Sequence, residues 1–140
     1  MPGRSRAREV VLQILYQADL NPTTEPEESD RFLRNRLTAG DLVDFASSLV
    51  AGVREHRGQL DSLLGQTADN WTLERMAATD RNVLRLGAFE LLHTTTPPRV
   101  VIDEAVELAK RFGSKQSAQF VNGILDKLLD LRGQRFADRN

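Results

Sequence analysis

Apolar residues recur at three- and four-residue intervals along most of this chain. Near the start they fall at Ala7, Val10, Val11, Ile14, Leu15 and Ala18, the spacing of one helical face. Asn21 and Pro22 end that helix, and TTEPEE reads as a polar, acidic connector. A short helix is predicted over DRFLRNRL, capped by Ser29 or the nearby acids, with Phe32, Leu33 and Leu37 turned inward. Asp41 is the predicted N-cap of DLVDFASSLVAGVREH, whose Leu42, Phe45, Leu49, Val50 and Val53 form a stripe. Gly58 predicts a break or kink before QLDSLLGQTADNW, where Leu60, Leu63 and Leu64 point inward.

The second half repeats the pattern. Thr79 as cap and Asp80 in the first turn open a helix rich in Val83, Leu84, Leu86, Phe89, Leu91 and Leu92, and TTTPP stops it. VVIDEAVELAKRFG predicts the next helix, with Val101, Ile102, Ala105, Val106, Leu108 and Ala109 buried. Asp103 and Glu104 would open it, Glu107 would pair with Arg111, and Gly113 would be its left-handed C-terminal cap. Ser114 or Ser117 starts the last helix, whose inner face is Val121, Ile124, Leu125, Leu128 and Leu129. VVIDEAV alone can be read as a strand, but AVELAKRF continues at helical spacing. The prediction is an all-α fold of about six to seven helices, one domain over residues 1–132 followed by a loose tail at 133–140.

Composition narrows the class. With 40% apolar and 28% charged residues in 140, the chain has the make-up of an ordinary globular domain. No apolar run is long enough to span a bilayer, so no membrane role is expected and a cytoplasmic setting fits. Zero cysteines exclude a disulfide framework or a thiolate metal site. Net charge is -1, so the surface as a whole is no polyanion trap. Of 19 basic residues only Lys110, Lys115 and Lys127 are lysines. Arginine's planar fork matches phosphate, although a GC-rich genome produces the same bias.

Catalytic chemistry finds little support. His56 and His93 each end a helix, where the negative dipole end favours them. No HExxH, dinucleotide fingerprint or phosphate-binding loop occurs, and FGSKQS lacks the glycines and spacing of one. Asp103, Glu104 and Glu107 have ordinary helical explanations. No enzyme, metal or cofactor is expected.

Binding chemistry is better represented. Arg4, Arg6 and Arg8 crowd a helix start, where cations are unfavourable unless something anionic arrives or the segment is a solvated tail. In AKRFGSKQSAQFVNG, Lys110 and Arg111 end one helix while Ser114, Lys115, Gln116, Ser117 and Gln119 cluster at the next helix start. Cations, hydroxyls and amides beside a helix N-terminus suit a sugar–phosphate backbone. Phe120 is either core or a platform for an unstacked base.

RAREVVLQILYQADL, VLRLGAFELL, PPRVVIDEAVELAKRFG and QFVNGILDKL, in that order and spacing, resemble the bacterial transcription antitermination factor NusB family. The resemblance spans essentially the whole chain and is weakest over residues 21–40 and after Leu131. It implies a compact helical domain of two subbundles without enzymatic activity. It also implies binding to the boxA element of nascent ribosomal RNA leaders, as single-stranded RNA. The implied partner is a small-subunit ribosomal protein that doubles as NusE, within an RNA polymerase antitermination complex with NusA and NusG. Carried over by motif, Arg6 and Arg8 match the basic lead-in, and Gln116, Ser117, Phe120 and Asn122 the segment around FVNG. With Arg4, Lys110, Arg111 and Lys115 they would form one RNA surface. Gln116 departs from members with an acid there, which removes a repulsion. Glu74 and Asp80 match the partner-contact region, with Arg81 and Arg85 nearby, though Asp80 also suits a plain helix start.

About four neutralised phosphates would give a salt slope of roughly -3 on single-stranded RNA, a weak footprint that a basic partner would extend. A homodimer hiding the RNA face is compatible with the sequence. Two alternatives stay open. One is a stand-alone relative of the RNA-binding domain of rRNA cytosine methyltransferases, which would need a methyl-transfer domain with a glycine loop. The other is a helical protein–protein adaptor with solvated arginines.

Overall fold

A computed structural model describes residues 3–68 and 72–139, with side chains placed through Arg132. Seven α-helices and one 3-10 turn account for the described elements, and no strand occurs among them. The helices are α1 (Gly3–Leu20), α2 (Pro26–Arg36), α3 (Gly40–Glu55), α4 (Arg57–Thr67), α5 (Ala78–His93), α6 (Pro98–Phe112) and α7 (Ser117–Arg139), with the 3-10 turn Leu73–Arg75 before α5. The chain divides into two compact units, Met1–Glu55 and His56–Asn140.

In the first unit, the predicted stripe of α1 is buried at Ala7, Val10, Val11, Ile14 and Leu15, joined by Leu12. It packs on α3, which buries Ala46, Leu49, Val50 and Val53, and on α2, which contributes Leu33. Each fully buried leucine contributes about 2 kcal/mol over its exposed state. α2 begins earlier than the sequence suggested. Glu25 sits in extended geometry before Pro26, whose fixed φ and missing N–H suit a first helical position. Ser29 is therefore inside the helix and buried, and it accepts a hydrogen bond from Arg54 Nη2 at 2.7 Å. It ties α2 to α3 instead of capping. Glu27 and Glu28 in the first turn and Arg34 and Arg36 in the last match the helix dipole. α3 begins at Gly40, with the N–H groups of Leu42 and Val43 donating to the Ala39 carbonyl, so Asp41 lies within the first turn and is not the cap.

The second unit is organised around α5. Residues Asn82 to Leu91 are all buried, as expected of a helix covered on every side. α4, α6 and α7 pack on it. Gly87 permits this approach: a Cβ there would lie 2.8 Å from Leu125 Cδ1 and 3.6 Å from Ala105 Cβ. Arg85, buried in the middle of α5, is matched. Arg85 Nε and Nη2 donate to the two carboxylate oxygens of Asp61 at 2.7 and 3.0 Å, a bidentate pair that fixes α4 against α5.

Several predicted boundaries move. The break before α4 falls at His56, and Gly58 lies inside the helix. α5 is preceded by Ala77, so Thr79 is a first-turn residue and not its cap. α6 starts at Pro98 after Pro97, which places Asp103 and Glu104 beyond the first turn, away from the dipole's positive end. Glu107 meets Lys110 at 3.5 Å. α7 is helical through Arg139.

Candidate nucleic-acid interface

Two basic helix starts, one in each unit, carry the residues the sequence singled out. At the start of α1, Arg4 is exposed and its guanidinium lies 4.5 Å above the centre of the Phe45 ring. A cation over an aromatic face is attracted by the ring quadrupole, so the side chain is held in place without losing its hydrogen-bonding edge. Arg6 pairs with Glu9 at 3.0 Å while remaining 41% exposed. Arg8 is placed differently. It is 3% exposed, with its guanidinium 5.1 Å from the centre of the same Phe45 ring. The sequence held a signal for this: Arg8 stands three and four residues before Val11 and Leu12, on the buried face. Phe45, read from its stripe as simple core, is only half-buried and serves as the floor beneath two arginines.

At the turn between α6 and α7, Lys110, Arg111, Lys115, Gln116 and Asn122 are exposed and Phe120 is half-buried. Lys110 has a loose contact with the exposed Glu107, and Arg111 lies 5.4 Å from the Phe112 ring centre. Ser117 is buried, and its Oγ accepts the Ser114 N–H at 2.8 Å, so it shapes the turn from inside. Gly113 is not the left-handed cap that was expected. Its φ of -96° and ψ of -167° are extended geometry. Glycine is needed because a Cβ would lie 2.4 Å from Ser117 Oγ and 2.7 Å from the Ala109 carbonyl oxygen. Together Gly113 and Ser117 fold the turn tightly and leave Lys115 and Gln116 outward.

The region expected to meet a partner protein is partly structural. Arg81 Nη1 donates to the carbonyls of Leu73 at 3.0 Å and Met76 at 3.2 Å, which holds the 3-10 turn against the start of α5. Glu74 is exposed on that turn. Asp80 is half-buried, and its Oδ1 is a buried oxygen with no hydrogen-bond partner among the described residues.

His56 and His93 stack with ring centres 4.1 Å apart, flanked by Phe89, and His93 Nε2 is 2.9 Å from Gln59 Oε1. Sequence reasoning assigned each to a helix end and missed that they meet. Among the described residues there is no group of three or more His, Cys, Asp or Glu placed to hold a metal, and no helix long and apolar enough to cross a membrane.

Residues 5–130 match the model of a protein family described as the NusB family. A transcription antitermination protein NusB of Anaeromyxobacter dehalogenans is 47% identical over 126 residues, covering 89% of each chain. A protein of the same name from Sorangium cellulosum is 44% identical over 142 residues, covering 99% of this chain and 100% of its own. Among solved structures, NusB of T. maritima superposes with a TM-score of 0.83 at 34% identity, covering 93% of this chain and 92% of that one. A chain from a crystal structure of antitermination factors NusB and NusE with double-stranded RNA gives 0.85 at 26% identity, covering 94% and 98%.

Proposed function

Because this chain belongs to the NusB family, we propose that it is an RNA-binding antitermination factor that grips boxA RNA together with NusE. The observation that carries the reading is the exposed Arg4 guanidinium, held over Phe45 at the start of α1. A helix start already favours anions through its N–H groups, and a fixed cation there adds a phosphate ligand. Lys110, Arg111, Lys115, Gln116 and Asn122 supply the second set of contacts, and the half-buried Phe120 stacks on an unstacked base. Arg6 contributes its exposed edge. Arg8 and Ser117 support from behind: one backs the Phe45 platform and the other sets the α6–α7 turn.

The RNA is single-stranded boxA from nascent ribosomal RNA leaders, and the complex acts on RNA polymerase with NusA and NusG. Phosphate contacts set the register, while bases must be unstacked to be read. NusE docks through Glu74, exposed on the 3-10 turn, and Asp80, in the first turn of α5. Arg81 positions that region. The chain's net charge of -1 suits a protein that relies on a basic partner for part of its RNA affinity.

The reading is tested by fluorescence titration of labelled boxA RNA against a scrambled strand and a duplex, with and without NusE. Tighter binding to boxA, strengthened by NusE, is the expected result. Equal binding to boxA and scrambled RNA in the presence of NusE would overturn it.

A further inference from the structure

We propose that Arg31, at the middle of α2, and Arg34 and Arg36, in its last turn, extend the RNA-binding strip of the first unit and hold phosphates of nucleotides flanking boxA. The proposal rests on the RNA-binding reading above and adds a surface to it.

The placement follows from connectivity and contacts within the unit. α1 and α2 are joined by residues 21–25 and pack together, so α2 runs back along α1. Its 11 residues span about 16 Å, against about 27 Å for the 18 of α1, so its last turn lies alongside the first half of α1. The chain then crosses to α3, where Leu42 sits against Gly3: a Cβ on Gly3 would be 2.9 Å from Leu42 Cδ1. Arg36 therefore precedes by only a few residues a contact with the start of α1. Even a fully extended connection keeps Arg36 within roughly 20 Å of it.

Charge follows the same axis. Asp19, Glu25, Glu27 and Glu28 lie at the α1–α2 connection, whereas Arg4 and Arg6 lie at the start of α1, Arg34 and Arg36 in the last turn of α2 and Arg31 at its middle. Asp41 and Asp44, exposed in the first turns of α3, share the basic end, and Asp30 adjoins Arg31, but the guanidinium groups outnumber these acids there. Among the described residues Arg31 and Arg34 have no ion-pair or hydrogen-bond partner, and Arg36 lies 4.6 Å above the Phe32 ring centre. The helix dipole explains why cations are tolerated at the end of α2. Their planar forks match phosphate. An acidic end and a basic end also orient the unit towards an approaching polyanion.

The test uses the full chain with NusE and two labelled RNAs, a minimal boxA strand and one extended on both sides. The wild type should bind the extended strand more tightly. The triple variant Arg31→Gln, Arg34→Gln, Arg36→Gln should bind the minimal strand as the wild type does and lose the gain from extension. Its salt slope on the extended strand should fall by about 2, at roughly 0.7 per phosphate contact. Equal wild-type affinity for both strands, or a variant that keeps the gain, overturns the proposal. So does a variant with weaker NusE affinity and unchanged RNA behaviour, which would make the patch a protein-docking surface. Failure of the underlying reading looks different: the wild type would bind neither strand better than scrambled RNA.

Discussion

Arg4, at the start of α1, is exposed with its guanidinium 4.5 Å above the Phe45 ring, whereas Arg85, in the middle of α5, gives two nitrogens to Asp61 from a side chain that is 5% exposed. Arg81 is likewise engaged, through two backbone carbonyls. The same residue type thus serves two ends. On α5 the fork is saturated by the protein and fixes helices. At Arg4 on α1 and Arg36 on α2 the flat face is held by an aromatic ring while the side chain stays exposed. Counting arginines could not separate these roles; what occupies each fork does.

Breaking the saturated side should cost most. Asp61→Ala leaves Arg85 buried without its bidentate partner and should lower stability by about 3 kcal/mol in urea unfolding. The RNA affinity of the remaining folded protein should be unchanged. Next comes Gly113→Ala, which forces a Cβ into Ser117 Oγ and the Ala109 carbonyl. About 2 kcal/mol of destabilisation is expected, as for an overpacked site, together with weaker RNA binding because Lys115 and Gln116 shift with the turn.

The open side should behave in reverse. Arg4→Gln removes one exposed cation–π contact, so the unfolding midpoint should move by no more than about 1 kcal/mol equivalent. Its salt slope for RNA should drop by about 0.7. Arg8→Glu is a poorer probe, because a buried carboxylate facing Phe45 would disturb packing and binding together. The smallest effect belongs to Glu107→Gln. The Lys110 contact at 3.5 Å joins two exposed side chains, so stability should stay within about 0.5 kcal/mol, which chemical denaturation can verify.

Helix number and buried faces were legible because 3.6-residue periodicity reports burial directly. Val10, Val11, Leu49, Val53, Leu84 and Leu125 all fall where the spacing put them. Helix ends were less legible. Ser29, Asp41 and Thr79 are all good capping residues, yet each lies within a helix begun at a proline, glycine or alanine. Capping preference is worth about 1 kcal/mol, and packing of a whole helical face outweighs it. For the candidate interface, the exposed positions of Arg4, Lys115, Gln116 and Asn122 agree with a surface role. Arg8 and Ser117 were placed by residue type and by motif, neither of which reports burial. Phe45 was hidden for the opposite reason: an aromatic in an apolar stripe looks like core, and only the guanidinium groups above it reveal the platform.

The most direct test neutralises one open cation in each unit. The double variant Arg4→Gln, Lys115→Gln should unfold like the wild type in urea, and its salt slope on boxA RNA with NusE should be lower by about 1.4. A double variant with wild-type slope and wild-type boxA affinity would contradict the assignment of these helix starts to RNA.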